Sequence, residues 1–307
     1  MKHLLSLEQL SAREMEHILK LAATLKKQRG TKAADKHQPL KGQTWAMIFT
    51  KASTRTRVSF EVGVRELGGD VFFLSPADSQ LGRGEPIKDT ARVFGRIAHG
   101  AIIRTFAQQD VVDFAEFSGL PTINALTDEE HPCQVLADLQ TMQEKLGGWK
   151  GRKVVFMGDG DNNMARSWMW AAERLGFQLV IAAPKKYQPK PEYLARFHSG
   201  AVTCEADPKK AAAGADVLYT DVFVSMGQEA EGARRLKELK GYQINAALVE
   251  AAGPQAIVMH CLPAYRGKEI TEEVLEAHAD TIFQEAENRL HAQKAVMSVL
   301  AENRAGR

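Results

Sequence analysis

The sequence predicts an α/β protein of two domains, each a mostly parallel sheet flanked by helices. Three observations lead there. At 307 residues the chain is longer than one hydrophobic core usually organises. Short apolar runs of strand length alternate with amphipathic stretches of helical period, as in a parallel sheet whose crossovers are helices. An amphipathic run from Gln134 to Leu146 then stops at Gly147-Gly148, a natural boundary. The predicted division is 1–147, 148–284, and a C-terminal helical segment, 285–307, returning to the first domain.

Taken in order, Ser11 and Glu14 stand as a capping box before apolar residues at Met15, Ile18, Ala22 and Leu25, so a helix precedes the first strand. Thr44–Phe49 reads as a short buried strand. A helix after Ser53, a strand at Val71–Leu74, a helix around Asp89–Ile97 and strands at Ala101–Arg104 and Thr122–Asn124 continue the alternation. Pro132 suits the first turn of the next helix. Past Gly148, strands are expected at Lys153–Met157, Gln178–Ala182, Ala201–Cys204, Val217–Tyr219 and Ile257–Met259, most of them separated by helices. Open parallel sheets bind ligands beyond the carboxyl ends of their strands, so chemistry is expected in the turns that follow them.

Composition narrows the classes of function. Forty basic against thirty-eight acidic residues give +2, interspersed along the chain, which leaves no broad field for a nucleic acid. With 44% hydrophobic and 25% charged residues the chain has ordinary globular composition. Cys133, Cys204 and Cys261 are odd in number and lack CxxC spacing, which fits reduced thiols rather than disulfides or structural zinc. Met1–Leu10 has no apolar stretch of signal-peptide length, and no later run is long enough to span a bilayer. A cytoplasmic location, no membrane contact and no metal are expected.

The turn after Thr44–Phe49 reads Lys51-Ala52-Ser53-Thr54-Arg55-Thr56-Arg57. Ser53 is a natural N-cap, so free N–H groups and the positive end of a helix dipole point where a phosphate could sit. Arg55 and Arg57 add guanidinium forks suited to phosphate oxygens. A capped helix with solvated charges would look similar in isolation. The turn after Lys153–Met157, Gly158-Asp159-Gly160-Asp161-Asn162-Asn163, invites comparison with a dinucleotide fingerprint. Asn163 stands where the third glycine is needed, so no nicotinamide cofactor is expected. His260 and Cys261 are adjacent on an extended strand and would face opposite ways, a poor arrangement for a shared metal.

Ser53 to Arg57 after a strand resembles the carbamoyl phosphate motif of the aspartate and ornithine carbamoyltransferases, and His131-Pro132-Cys133-Gln134 resembles that family's second motif. Asp221-Val222-Phe223-Val224-Ser225-Met226-Gly227 is similar to the Asp-x-Trp-x-Ser-Met-Gly signature of the family's ornithine members, with Phe223 in place of the usual Trp. His260-Cys261-Leu262-Pro263 again resembles the ornithine members; the aspartate members carry Pro where Cys261 stands. These motifs occur in family order and span most of the chain.

The resemblance implies carbamoyl transfer from carbamoyl phosphate to the side-chain amine of ornithine, in a cleft between the domains and without a cofactor. It implies that Ser53, Thr54, Arg55, Thr56 and Arg57 bind carbamoyl phosphate with Gln80, Arg104, His131, Gln134, Arg289 and the carbonyl of Leu262. Within that set, Arg55 and Arg57 with the helix start serve the phosphate, and Thr56, Arg104, His131 and Arg289 the carbonyl oxygen. Gln134 serves the carbamoyl nitrogen. It further implies that Asn163, Asp221, Ser225, Met226 and Cys261 bind ornithine, with Cys261 beside the reacting amine. Arg104, His131, Cys261 and Arg289 are the implied catalytic residues, and a homotrimer is the implied assembly.

Overall fold

A computed structural model describes residues 1–75, 77 and 84–305. The chain divides into two compact units, Met1–Gln140 with Asn288–Arg307, and Thr141–Glu287.

In the first unit, α1 (Ala12–Gln28) starts at the expected capping box, where Ser11 Oγ accepts from the Glu14 N–H at 3.2 Å and Glu14 Oε2 accepts from the Ser11 N–H at 2.9 Å. Its buried stripe is Met15, Ile18, Leu19, Ala22 and Leu25. A short α2 (Lys32–Lys36) leads to β1 (Thr44–Phe49), α3 (Thr54–Glu66) and β2 (Asp70–Leu74). Then come α4 (Ile87–Ile97), β3 (Gly100–Arg104), α5 (Gln108–Ser118), β4 (Thr122–Leu126) and α6 (Pro132–Leu146), whose residues from Thr141 onward belong to the second unit. All strand pairs are parallel, in the order β2-β1-β3-β4. β1 is buried along nearly its whole length, so its apolar run is continuous rather than alternating, as a strand covered on both faces requires. One face of the sheet packs Ala46, Ile48, Ala101 and Ile103 against Ala91, Val111 and Phe114 of α4 and α5. β3 can begin beside Trp45 only because residue 100 is glycine: a Cβ there would lie 2.5 Å from the indole. Two hydrogen bonds of Leu4, to Thr122 O (2.9 Å) and from the Asn124 N–H (2.7 Å), lay the N-terminal segment along β4.

The second unit holds β5 (Lys153–Met157), α7 (Asn163–Leu175), β6 (Gln178–Ala182), α8 (Pro191–Leu194), β7 (Val202–Glu205), α9 (Pro208–Ala212) and β8 (Val217–Thr220). It continues through α10 (Gly232–Leu239), α11 (Ala246–Ala252), β9 (Ile257–His260) and α12 (Glu272–Ala277) into α13 (Ala279–Ala305), whose residues from Asn288 onward belong to the first unit. Its sheet is parallel throughout, in the order β7-β6-β5-β8-β9. Trp168 lies edge-on to Tyr219 (5.2 Å between ring centroids) and to Phe177 (5.9 Å), and Phe156 stacks on Tyr219 (5.6 Å). Each such pair adds about 0.5–1.5 kcal/mol beyond its buried area.

Strand ends differ from expectation by a residue or two. β7 runs to Glu205, which pairs with Ala182, and β4 runs to Leu126, which pairs with Arg104. Pairing with a neighbour, not apolar content, decides where a strand stops. The helix α5 gave no starting signal, because Ala107 stands at its N-cap and supplies no side-chain cap.

Each sheet has one point where the chain reverses direction across it. From β1 the chain goes outward to β2 and returns on the other side as β3; from β5 it goes outward to β6 and β7 and returns as β8. At such a switch point the connections part and leave a crevice at the carboxyl ends of the two central strands. The turns at those ends are Thr50–Ser53 and Thr105 onward in the first unit, and Gly158–Asn162 and Asp221 onward in the second.

Candidate active site

In the first unit, Ser53 caps α3 with extended backbone (φ −163°), and its Oγ accepts from the Thr56 N–H at 3.3 Å. Thr54 and Arg55 are exposed on the opening turn, where helix N–H groups and the dipole favour an anion. Arg57 is also exposed, but its guanidinium is occupied: Nε donates to Glu61 Oε1 at 2.8 Å, and the group lies 3.8 Å from the centre of the Phe73 ring. Arg55 and Arg57 therefore differ in what they already hold.

Beneath that turn the structure gathers residues distant in sequence. Arg289 is buried, and donates through Nη1 to Gln134 Oε1 (2.7 Å) and through Nη2 to Thr56 Oγ1 (3.2 Å). Arg104, at the end of β3, and His131, just before α6, are buried too. Burial holds the His131 imidazole well below the usual histidine range, and the charges of Arg289 and then Arg104 push it the same way. A neutral imidazole that feels two guanidinium charges can donate a hydrogen bond without adding a third charge. The neighbouring Cys133 thiol is pushed up to about 12 by burial, which keeps it protonated at neutral pH. Gln80 lies outside the described residues.

In the second unit, Asp221 follows β8 and Cys261 follows β9. Cys261 Sγ donates to Asp221 Oδ1 at 3.1 Å, and the Val222 N–H donates to the same oxygen at 2.7 Å. Burial pushes the Asp221 carboxyl up, opposed by these two donors. His260 is fully buried and shapes the turn: its Nδ1 accepts from the Leu262 N–H at 2.9 Å and its Nε2 faces Glu269 Oε1 at 3.2 Å. Because Nδ1 accepts from an amide, the proton belongs on Nε2. Leu262 is held at positive φ (54°), ahead of a cis bond to Pro263. His260 and Cys261 thus point to different partners, and among the described residues no group of three or more His, Cys, Asp or Glu side chains is placed to hold a metal.

Asn163 opens α7, while Asn162 before it serves as the cap, accepting from the Ala165 N–H at 2.8 Å. Phe223 is buried with its ring against Gly158, where a Cβ would come within 2.8 Å and where φ is +121°. The aromatic therefore packs the Asp221 loop onto the Asn163 turn, and only glycine allows that approach. Ser225 is partly buried, its N–H donating to Gln228 Oε1 at 3.1 Å; Met226 is half exposed.

Several buried polar residues around these turns carried no sequence signal. Lys51 is buried and bonded to Asp128, with its ammonium 4.2 Å from the centre of the Phe106 ring. Glu130, beside His131, is held by Ser6 Oγ and by the Leu7 N–H (2.9 Å). Arg235 joins Asp159 to the Phe223 carbonyl, which accepts from its Nε at 2.8 Å. A lone charged residue reads as solvated until the fold buries it.

Two parallel-sheet units, each with polar side chains at its switch point and an anion-ready helix start in the first, define a two-part α/β protein built to bind small polar ligands. Known proteins agree. The pattern described as the carbamoyl-P binding domain of aspartate/ornithine carbamoyltransferase matches residues 2–144, and that of the Asp/Orn binding domain matches 150–300. The ornithine carbamoyltransferase of Akkermansia muciniphila is 59% identical over 308 residues, all of both chains. Among solved structures, the ornithine carbamoyltransferase from Pyrococcus furiosus is 44% identical with a TM-score of 0.91, covering 98% of this chain and 97% of its own. The anabolic ornithine carbamoyltransferase from Campylobacter jejuni is 42% identical with a TM-score of 0.92, covering 99% and 100%. The chain belongs to the aspartate/ornithine carbamoyltransferase family.

Proposed function

We propose that this chain transfers the carbamoyl group of carbamoyl phosphate to the side-chain amine of L-ornithine, giving L-citrulline and phosphate. The observation that carries the choice of ornithine is the Asp221 carboxylate, held in place by Cys261: its negative charge favours an amino acid whose side chain brings a second amine over one that brings a second carboxylate. Full-length identity to relatives named for this activity supports the same reading.

In this reading Ser53, Thr54, Arg55 and Arg57 hold the phosphate with the start of α3, and Gln80 assists. Thr56, Arg104, His131 and Arg289 receive the carbamoyl oxygen as negative charge develops on it, the preorganised donor arrangement that stabilises a tetrahedral intermediate. Gln134 accepts from the carbamoyl nitrogen, and the Leu262 carbonyl also contacts the carbamoyl phosphate. Asp221 pairs with the α-amino group of ornithine, alongside Asn163, Ser225 and Met226, and Cys261 orients the reacting amine. The neutral amine attacks the carbonyl carbon, the bond to the phosphate oxygen breaks, and the departing phosphate takes the amine proton. Since free amines of this kind are mostly protonated at neutral pH, the rate rises with pH wherever chemistry limits turnover.

Cytoplasmic location and a homotrimer complete the proposal; among the described residues no helix is long and apolar enough to cross a membrane. The test is citrulline formation by the purified protein with carbamoyl phosphate and, in parallel, ornithine, N-acetylornithine, putrescine or aspartate. Turnover with ornithine alone is expected. Preference for another amine, or binding without turnover, overturns the assignment. Light scattering measures the assembly.

A further inference from the structure

Gln134 has two chemically different ends, and which faces which way is decided by its neighbours. Its Nε2 donates to Asp138 Oδ1 at 2.8 Å, one helical turn along α6, while its Oε1 accepts from Arg289 at 2.7 Å. Both Asp138 and Gln134 are buried, at 0% and 1% exposure, so water does not substitute for either contact. A guanidinium only donates, and an ionised carboxylate only accepts. Were the amide turned over, NH₂ would face NH₂ on the arginine side and oxygen would face oxygen on the aspartate side, two buried mismatches at once.

We infer that Asp138 is a positioning residue for carbamoyl transfer: together with Arg289 it locks the Gln134 amide with its oxygen, not its nitrogen, on the arginine side, where an acceptor is needed for the carbamoyl NH₂. The inference rests on the role proposed above for Gln134. Asp138 itself does not touch the substrate in this scheme. Its acceptor atom sets the direction of another residue's acceptor, and Arg289 polarises that acceptor while also holding Thr56. A helix interior is a suitable support, because residues at i and i+4 share one face at fixed separation.

A swap of hydrogen-bonding character tests it. Gln134→Glu places an acceptor against Asp138, and kcat/KM for carbamoyl phosphate at saturating ornithine should fall about tenfold or more. Asp138→Asn, which can turn its carbonyl toward Nε2, should stay within about threefold of the parent. In the double variant the amide introduced in place of the Asp138 carboxylate can donate to the new glutamate, so Gln134→Glu with Asp138→Asn should recover about tenfold over Gln134→Glu alone. Thermal melting identifies folded variants. A harmless Gln134→Glu, or a folded double variant no better than it, overturns the inference. A parent protein that makes no citrulline overturns the functional reading instead, so the two failures are distinct.

Discussion

Cys261 and Asp221 stand 40 positions apart, and the thiol of one donates to the carboxylate of the other across 3.1 Å. They meet because β8 and β9 are parallel neighbours in register, Thr220 opposite His260, so the residue following each strand emerges at the same edge of the sheet. Burial raises the Asp221 carboxyl above its usual range, which has consequences for stability as well as recognition.

Asp221→Asn should separate the two. The raised value means the folded state binds this proton more tightly than the unfolded one, so the group favours folding at low pH and that contribution is lost as pH rises through its folded value. Above that folded value the ionised group is held at a cost, and there the amide isostere should melt at a higher temperature than the parent. Ornithine recognition should suffer, with kcat/KM for ornithine down about tenfold to a hundredfold, as expected for a lost charge-assisted hydrogen bond. Binding of carbamoyl phosphate alone, followed by calorimetry, should be unchanged. Unimpaired use of ornithine would remove Asp221 from the site.

Arg55 and Arg57 should not be equivalent. Arg55→Ala is expected to raise the Kd for carbamoyl phosphate about tenfold or more. Arg57→Ala should cost less, because its guanidinium must leave Glu61 and the Phe73 ring before it reaches an anion. Glu61→Gln should then strengthen the contribution of Arg57. Calorimetry on the three variants checks the order, and a larger loss at Arg57 contradicts it.

His131 predicts an acid-side loss of stability. Its folded value is depressed below the ordinary 6.5, so below that pH the unfolded chain holds more protons at this position and stability falls with falling pH; above it, both states are neutral and there is no effect. Melting temperatures from about pH 7.5 to 5.5 should drop less in His131→Asn than in the parent. Parallel curves would mean that the imidazole is readily protonated in the folded protein.

Ser6→Ala removes a hydroxyl that donates to the buried Glu130 and accepts from the Glu8 N–H at 3.0 Å. Leaving a buried carboxylate short of a donor should lower stability by about 1–3 kcal/mol, read by urea unfolding. A change below about 0.5 kcal/mol would show that water replaces the hydroxyl.

Much of the framework was legible in the chain itself. Thr44–Phe49, Lys153–Met157 and Gln178–Ala182 coincide with β1, β5 and β6, because a buried parallel strand is a short apolar run between turn residues and needs no distant information. The Ser11–Glu14 capping box and the Ser53 cap are likewise local, each closed within three residues. So were the turns where the candidate site residues stand, since in a parallel sheet they follow the strands.

Distant partners were another matter. Sequence order put Arg289 far from Gln134 and Thr56, and only α13, whose residues from Asn288 lie in the first unit, brings its guanidinium onto both. Nothing local distinguished Lys51, Asp138, Glu130 or Arg235 from solvated charges. Local sequence determined the elements, their caps and the turns beyond the strands, because backbone hydrogen bonding and apolar periodicity act over a few residues. Tertiary structure alone decided which polar groups lost water and whom they met in exchange, because desolvation depends on everything packed around a group, and that is set by the whole fold at once.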